Sequence, residues 1–128
     1  MERTNYSTGT TFEQRVGYSR VVRVGDTVYV SGTAPLVPDD ADPPDDAYAQ
    51  ARICLDRIES SLALAGAAMA DVVRTRIYIT DAAHIDEVGR AHGEAFRAAP
   101  PVTTGVVAQL LDARWLVEIE AEAVILPS

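Results

Sequence analysis

Three carboxylates recur at every second position in Glu118-Ile119-Glu120-Ala121-Glu122, near the end of a chain of 128 residues. Side chains on a strand alternate between faces, so Glu118, Glu120 and Glu122 form a row on one side. Like charges in such a row repel unless cations answer them. Glu120 and Glu122 suit a ladder with arginines such as Arg74 and Arg76. Glu118, nearest the start of the strand, is the candidate to escape it. A carboxylate left out of the ladder can position or deprotonate a water as a general base.

Other chemistry-bearing residues are few. All 11 basic residues are arginine, so no lysine is present to form a Schiff base. Cys54 falls on an apolar helical stripe and reads as a buried structural thiol rather than a nucleophile. His92 also lies on an apolar stripe, and near the cleft it would exchange protons close to neutral pH. His84, near the start of a helix, reads as solvated. The Cys and His residues lack metal-ligand spacing, so neither a metal nor a cofactor is expected. A net charge of −8 and a pI near 4.6 argue against a nucleic-acid surface. The polar N-terminus and the lack of an apolar run of about 18 residues argue against a membrane span. The expected setting is cytoplasmic.

The elements that must position these groups follow from pattern. Residues 1–128 read as one domain. Arg3–Tyr6 suits an edge strand, followed by a loop. Val21 to Gly32 reads as a hairpin turning at Gly25-Asp26, with Arg23, Thr27 and Tyr29 exposed. Pro35 to Asp46 is a solvated loop. Asp45 or Asp46 caps a helix running to about Ala65, with Gly66 as its stop. In the next strand, Val73, Thr75, Ile77 and Ile79 alternate with Arg74, Arg76 and Tyr78. A second helix begins at Thr80-Asp81 and ends before Pro100-Pro101. Strands at about Thr103–Gln109 and Trp115–Leu126 complete the chain. Helical crossovers then give a mixed sheet with both helices on one face. The uncovered, partly charged face suits a subunit interface.

Several stretches, in this order and spacing, are similar to the RidA/YjgF family, the reactive-intermediate deaminases once called endoribonuclease L-PSP. They are Gly17-Tyr18-Ser19, Val28-Tyr29-Val30-Ser31-Gly32, Gln50…Leu55…Ile58…Leu62…Ala65-Gly66, Asp71-Val72-Val73…Ile77-Tyr78-Ile79-Thr80-Asp81, Phe96 to Pro101, and Val117-Glu118-Ile119-Glu120-Ala121. The resemblance implies a chorismate-mutase-like α+β fold: a mixed six-stranded sheet with two helices on one face, assembled as a homotrimer. It also implies three inter-subunit clefts that hydrolyse imines or enamines to ammonia and 2-keto acids. By that resemblance Glu118 and Tyr18 are the catalytic residues, and Thr103, Ser31, Gly32, Gly105 and His92 bind substrate.

The chain departs from the family pattern at Pro101-Val102-Thr103, where members carry Pro-x-Arg. A threonine supplies one uncharged hydroxyl in place of a bidentate guanidinium. Losing such a pair in a desolvated site costs on the order of 2–5 kcal/mol. Gly89 and His92 stand where members carry an Asn and an aromatic, and Gly105 where a Cys is common. Arg20 or Arg114 is a candidate relocated cation. The expected function is deamination of a small imine, enamine or related metabolite other than 2-iminopropionate. The alternatives are a non-catalytic trimer that binds a small ligand or partner, and an accessory enzyme of a biosynthetic pathway. The acidic charge makes ribonuclease activity the weakest reading.

Overall fold

The chain runs β1 (Arg3–Tyr6), α1 (Thr11–Val16), β2 (Val21–Val24), β3 (Thr27–Thr33), α2 (Ala47–Leu64), β4 (Val72–Ile79), α3 (Ile85–Ala95), β5 (Val102–Val107) and β6 (Val117–Val124). The computed structural model describes residues 1–127. The strands form one sheet in the order β1-β2-β3-β6-β4-β5. Only β4 and β5 pair in parallel, with α3 as their crossover. All other pairings are antiparallel. Alternate residues of the central strands, among them Val28, Val30, Ile77, Ile79, Val117 and Ile119, share one core with Leu55, Ile58 and Leu62 of α2 and Val88 and Ala91 of α3. Both helices thus cover one face, and the expected mixed α+β sheet is found. No helix among the described residues is long and apolar enough to cross a membrane.

α2 holds that core in place. Asp46 caps it, its carboxylate accepting from the Tyr48 and Ala49 amides. Gly66, at φ 81°, turns the chain out of the helix in the left-handed region that glycine tolerates. Arg23 lies on the helix side of the hairpin rather than exposed, because it stands opposite buried Val28. Its guanidinium donates to Ala65 O at 2.7 Å, placing a cation at the negative end of α2.

Three stretches depart from expectation. Residues 11–16 form a helix where a loop is expected. Thr10 Oγ1 accepts from the Glu13 amide at 3.1 Å, and the Glu13 carboxylate is bound by the hydroxyls of Ser7, Thr8 and Thr10. Burial acts to raise the Glu13 pKa, but those hydroxyls and the Thr8 amide outweigh it and hold the carboxyl at about 2. Val73 is exposed and Val72 is buried in its stead. A bulge inserts Val73 between the Val72↔Ala123 and Arg74↔Glu122 pairs, which flips the alternation before it. β5 starts one residue earlier than expected and stops at Val107, and all six of its residues are exposed.

Gln50 joins this scaffold to the start of β6. It is fully buried, donates to Pro44 O and Arg114 O at 2.7 and 3.0 Å, and accepts from the Leu116 amide at 2.7 Å. A Gln50→Leu variant leaves three backbone groups without these partners, and unpaired buried groups cost about 1–3 kcal/mol each. Urea denaturation is expected to show a loss of about 3 kcal/mol or more. A loss within experimental error would mean that water replaces all three bonds.

Candidate functional site

The row of glutamates faces away from the helices, as alternation requires, and its three members have different surroundings. Glu120 accepts from Arg76 at 3.1 Å and from the Tyr78 hydroxyl at 2.6 Å. Glu122 accepts from the same Arg76 at 3.2 Å. Glu118 is half-buried with neither a hydrogen bond nor an ion pair among the described residues. Burial raises its pKa; the charges of Arg20 and Arg57 oppose that rise and Glu120 adds to it. Its carboxylate packs on Gly32, where a built Cβ would collide with Oε2. Gly32 sits in the irregular stretch between the Val30↔Ala121 and Thr33↔Ile119 pairs, so the missing side chain makes room for the acid.

Tyr18 and Ser31 belong to this same group. Ser31 Oγ donates to Ser19 O at 2.6 Å, and its amide donates to Arg20 O at 3.0 Å. The hydroxyl of Ser31 therefore pins the segment that carries Tyr18. The Tyr18 ring stands edge-on to Phe12, with centroids 5.9 Å apart, and faces the Arg20 guanidinium at 5.8 Å. Arg20 is only 6% exposed and donates to Gly32 O and Thr33 Oγ1, each at 3.1 Å. It thus supports the backbone on which Glu118 rests.

Thr103, Gly105 and His92 form a second group on the other face. Thr103 pairs with Thr75 and Gly105 with Ile77, so both lie on the helix side of the sheet. Thr75 Oγ1 donates to Thr103 Oγ1 at 2.7 Å and lies 2.8 Å from His92 Nε2. Thr75 thus links Thr103 to His92 through its single hydroxyl. Burial lowers the His92 pKa, and the Phe96 ring packs 4.7 Å from the imidazole. Thr103, as acceptor within this chain, keeps its own hydroxyl proton for an outside acceptor, and it is exposed. Gly105 leaves space below Ile85, whose Cδ1 would lie 3.9 Å from a built Cβ.

Thr103 and Glu118 therefore project from opposite faces, and one chain does not bring the two groups together. Sequence reasoning missed Thr75. The available signal was one polar residue among the inward-facing Ile77 and Ile79. Arg114 is held by Asp40, Asp42 and Asp112 at 2.8–3.2 Å and is not a free cation for a ligand. Cys54 is buried with its thiol pKa pushed up by desolvation, which leaves it inert. His84 is half-buried at the end of a 3-10 turn. Among the described residues no cluster of His, Cys, Asp and Glu is able to hold a metal ion.

The raised pKa of Glu118 carries a signed consequence. Folding favours the protonated acid, so this group's contribution to stability is full below about pH 4.5, the ordinary carboxyl value. It is lost as pH rises through that value to the higher folded-state pKa. A Glu118→Gln variant is expected to be more stable than the parent at pH 7, with the gap closing below about pH 4. Thermal unfolding across that range checks it, and a gap that widens on acidification would reverse the assignment.

Comparison with known proteins places this geometry. The family model described as endoribonuclease L-PSP matches residues 8–125. Among curated proteins, the uncharacterised SCO2049 of Streptomyces coelicolor is 36% identical over 116 residues, 90% of this chain and 87% of that protein. TdcF of Escherichia coli, a candidate reactive intermediate deaminase, is 31% identical over 110 residues, 84% of this chain and 85% of that one. The crystal structure of Rv2704 from Mycobacterium tuberculosis, described as a member of the YjgF/YER057c/UK114 family, superposes with a TM-score of 0.87 at 48% identity, covering 97% of this chain and 100% of that one. A family match over residues 8–125 and the close superposition on Rv2704 lead to one conclusion: the chain belongs to the endoribonuclease L-PSP family, the group of RidA/YjgF proteins.

Proposed function

We propose that this protein hydrolyses a small reactive imine or enamine in a cleft between subunits of a homotrimer. The observation that carries the reading is Glu118, the one carboxylate of the row without a partner, half-buried and with a raised pKa. A family that includes a candidate reactive intermediate deaminase supports the reaction class. The open, partly charged sheet face and the exposed edge strand β5 supply the surfaces that subunits would bury. Assembly then answers the separation of the two groups, with the Thr103 group of one subunit facing the Glu118 group of the next.

In this scheme Glu118 holds a water and takes one of its protons as the oxygen adds to the C=N carbon. The nitrogen takes up a proton from solvent, giving a carbinolamine, and solvent later receives the hydroxyl proton. Return of the proton from the carboxyl to nitrogen, with loss of the hydroxyl proton, expels ammonia and leaves the carbonyl. Tyr18 closes the cleft, while Ser31 and Gly32 shape its floor. Thr103 offers one hydroxyl proton to a substrate oxygen, with Gly105 and His92 beside it. Such a site favours an imine with a neutral polar group over 2-iminopropionate, whose carboxylate lacks a guanidinium there.

The same threonine favours a second reading, a trimer that binds a small ligand or partner without catalysis. Ammonia release separates the two, using 2-iminopropionate formed in situ and a neutral imine of similar size. The expected outcome is faster turnover of the neutral imine, lowered about 10²–10⁴-fold by Glu118→Gln. Thr103→Arg is expected to raise the rate on 2-iminopropionate. Equal rates for the parent and Glu118→Gln would leave only the binding role.

A further inference from the structure

A recess of about 530 Å³ lies between α2 and the segment that follows β3, and it shares Arg20 with the Glu118 group. Arg20 and Arg57 line it together with Leu36, Ile53 and Leu64. Neither guanidinium forms an ion pair among the described residues. Arg20 is more than nine-tenths buried and bonds only to Gly32 O and Thr33 Oγ1. Arg57 makes one bond, Nη1 to Ala34 O at 2.7 Å. A guanidinium has five N–H donors, so most of those of Arg57 are unused within the chain. No fully buried side-chain nitrogen lacks a partner among the described residues, so these donors lie on accessible surface.

Two neighbouring cations, one buried and one half-buried, are unfavourable without a paired counter-charge. Burial lowers the pKa of Arg57, and the charge of Arg20 lowers it further. Glu118 opposes this from a distance without forming an ion pair. Asp56, also in the lining, is paired instead with Arg52 at 3.5 Å and is largely exposed. The walls are apolar, with Leu36 43% and Leu64 48% exposed to the recess or to solvent. A ligand that answers both features has one negative charge at one end and an apolar body at the other. A planar carboxylate fits the guanidinium fork. Asp56 and the apolar walls disfavour a doubly charged phosphate.

We propose that the recess is a binding site for a small apolar carboxylate, seated with its charge on Arg57 and Arg20 and its body against Leu36, Ile53 and Leu64. Apart from Arg20, the residues named for it lie outside the Glu118 group. Its volume falls in the range of small-molecule sites, roughly 300–1,000 Å³.

Phenylacetate is a suitable probe, with phenylacetamide as its uncharged counterpart, titrated into the full chain and followed by calorimetry and amide NMR. The expected result is that the acid binds about tenfold or more tightly than the amide. Shifts should centre on Ser60, Leu64 and Leu36. Arg57→Gln should weaken the acid about tenfold or more. Leu64→Glu, an exposed change that keeps both guanidiniums, should also weaken the acid. Glu118→Gln should retain acid binding even though it removes hydrolysis, so the two sites fail separately. Equal binding of acid and amide, shifts confined to Glu118 and Gly32, or no acid binding up to about 10 mM would overturn the proposal.

Discussion

The double ion pair of Arg76 is what allows three glutamates to stand in the middle of this sheet. β6 is hydrogen-bonded on both sides, to β3 and β4, so its outward row cannot spread apart as it could at an edge. One guanidinium bridges Glu120 and Glu122, and the Tyr78 hydroxyl supplies Glu120 with a further donor. These groups are about one-third exposed, so screening keeps each pair weak as a source of stability. Their larger effect is positional: the ladder occupies two carboxylates and leaves the third in place.

Much of this architecture is legible from local pattern, because local physics decides it. The 3.6-residue period of α2, its Asp46 cap and its Gly66 exit are complete within a short stretch of chain. Where the reading failed, the deciding contact lay elsewhere or broke the pattern. Val73 obeys alternation on paper, but a single inserted residue against β6 reverses the face it presents. Arg23 looks like a surface residue until the end of α2, 42 positions away, arrives above it. The helix at residues 11–16 is a different case. Thr10 and Glu13 carry the spacing of a capping box, a local signal for a helix that the sequence does contain.

For the candidate residues, the sequence left the spatial grouping open. Glu118, Tyr18, Ser31 and Gly32 do gather in one region, but Ser31 spends its hydroxyl on Ser19 O. Thr103, His92 and Gly105 gather in another, joined through Thr75. Strand register explains the division: Thr103 lies opposite Thr75, which lies opposite the buried Ala121, whereas Glu118 is an odd number of residues from Ala121 and points the other way. A strand pattern reveals relative faces within one strand. The register between strands, which sets the faces of Thr103 and Glu118 against each other, needs the folded sheet.

This division also explains why Glu118 is held by steric fit rather than by bonds. A hydrogen-bonded carboxylate, like Glu13 with its ring of hydroxyls, has its pKa driven down to about 2 and makes a poor base near neutral pH. Glu118 has burial without donors, which drives its pKa the other way. Gly32 supplies the space, and Arg20, bonded to the Gly32 carbonyl, limits the rise by its charge without quenching the acid in an ion pair. The two glutamates thus show one principle with opposite outcomes. Donors stabilise the fold at the N-terminal turn, and their absence beside β6 leaves a carboxylate whose desolvation is a cost to folding and, in the proposed reaction, a condition for proton transfer.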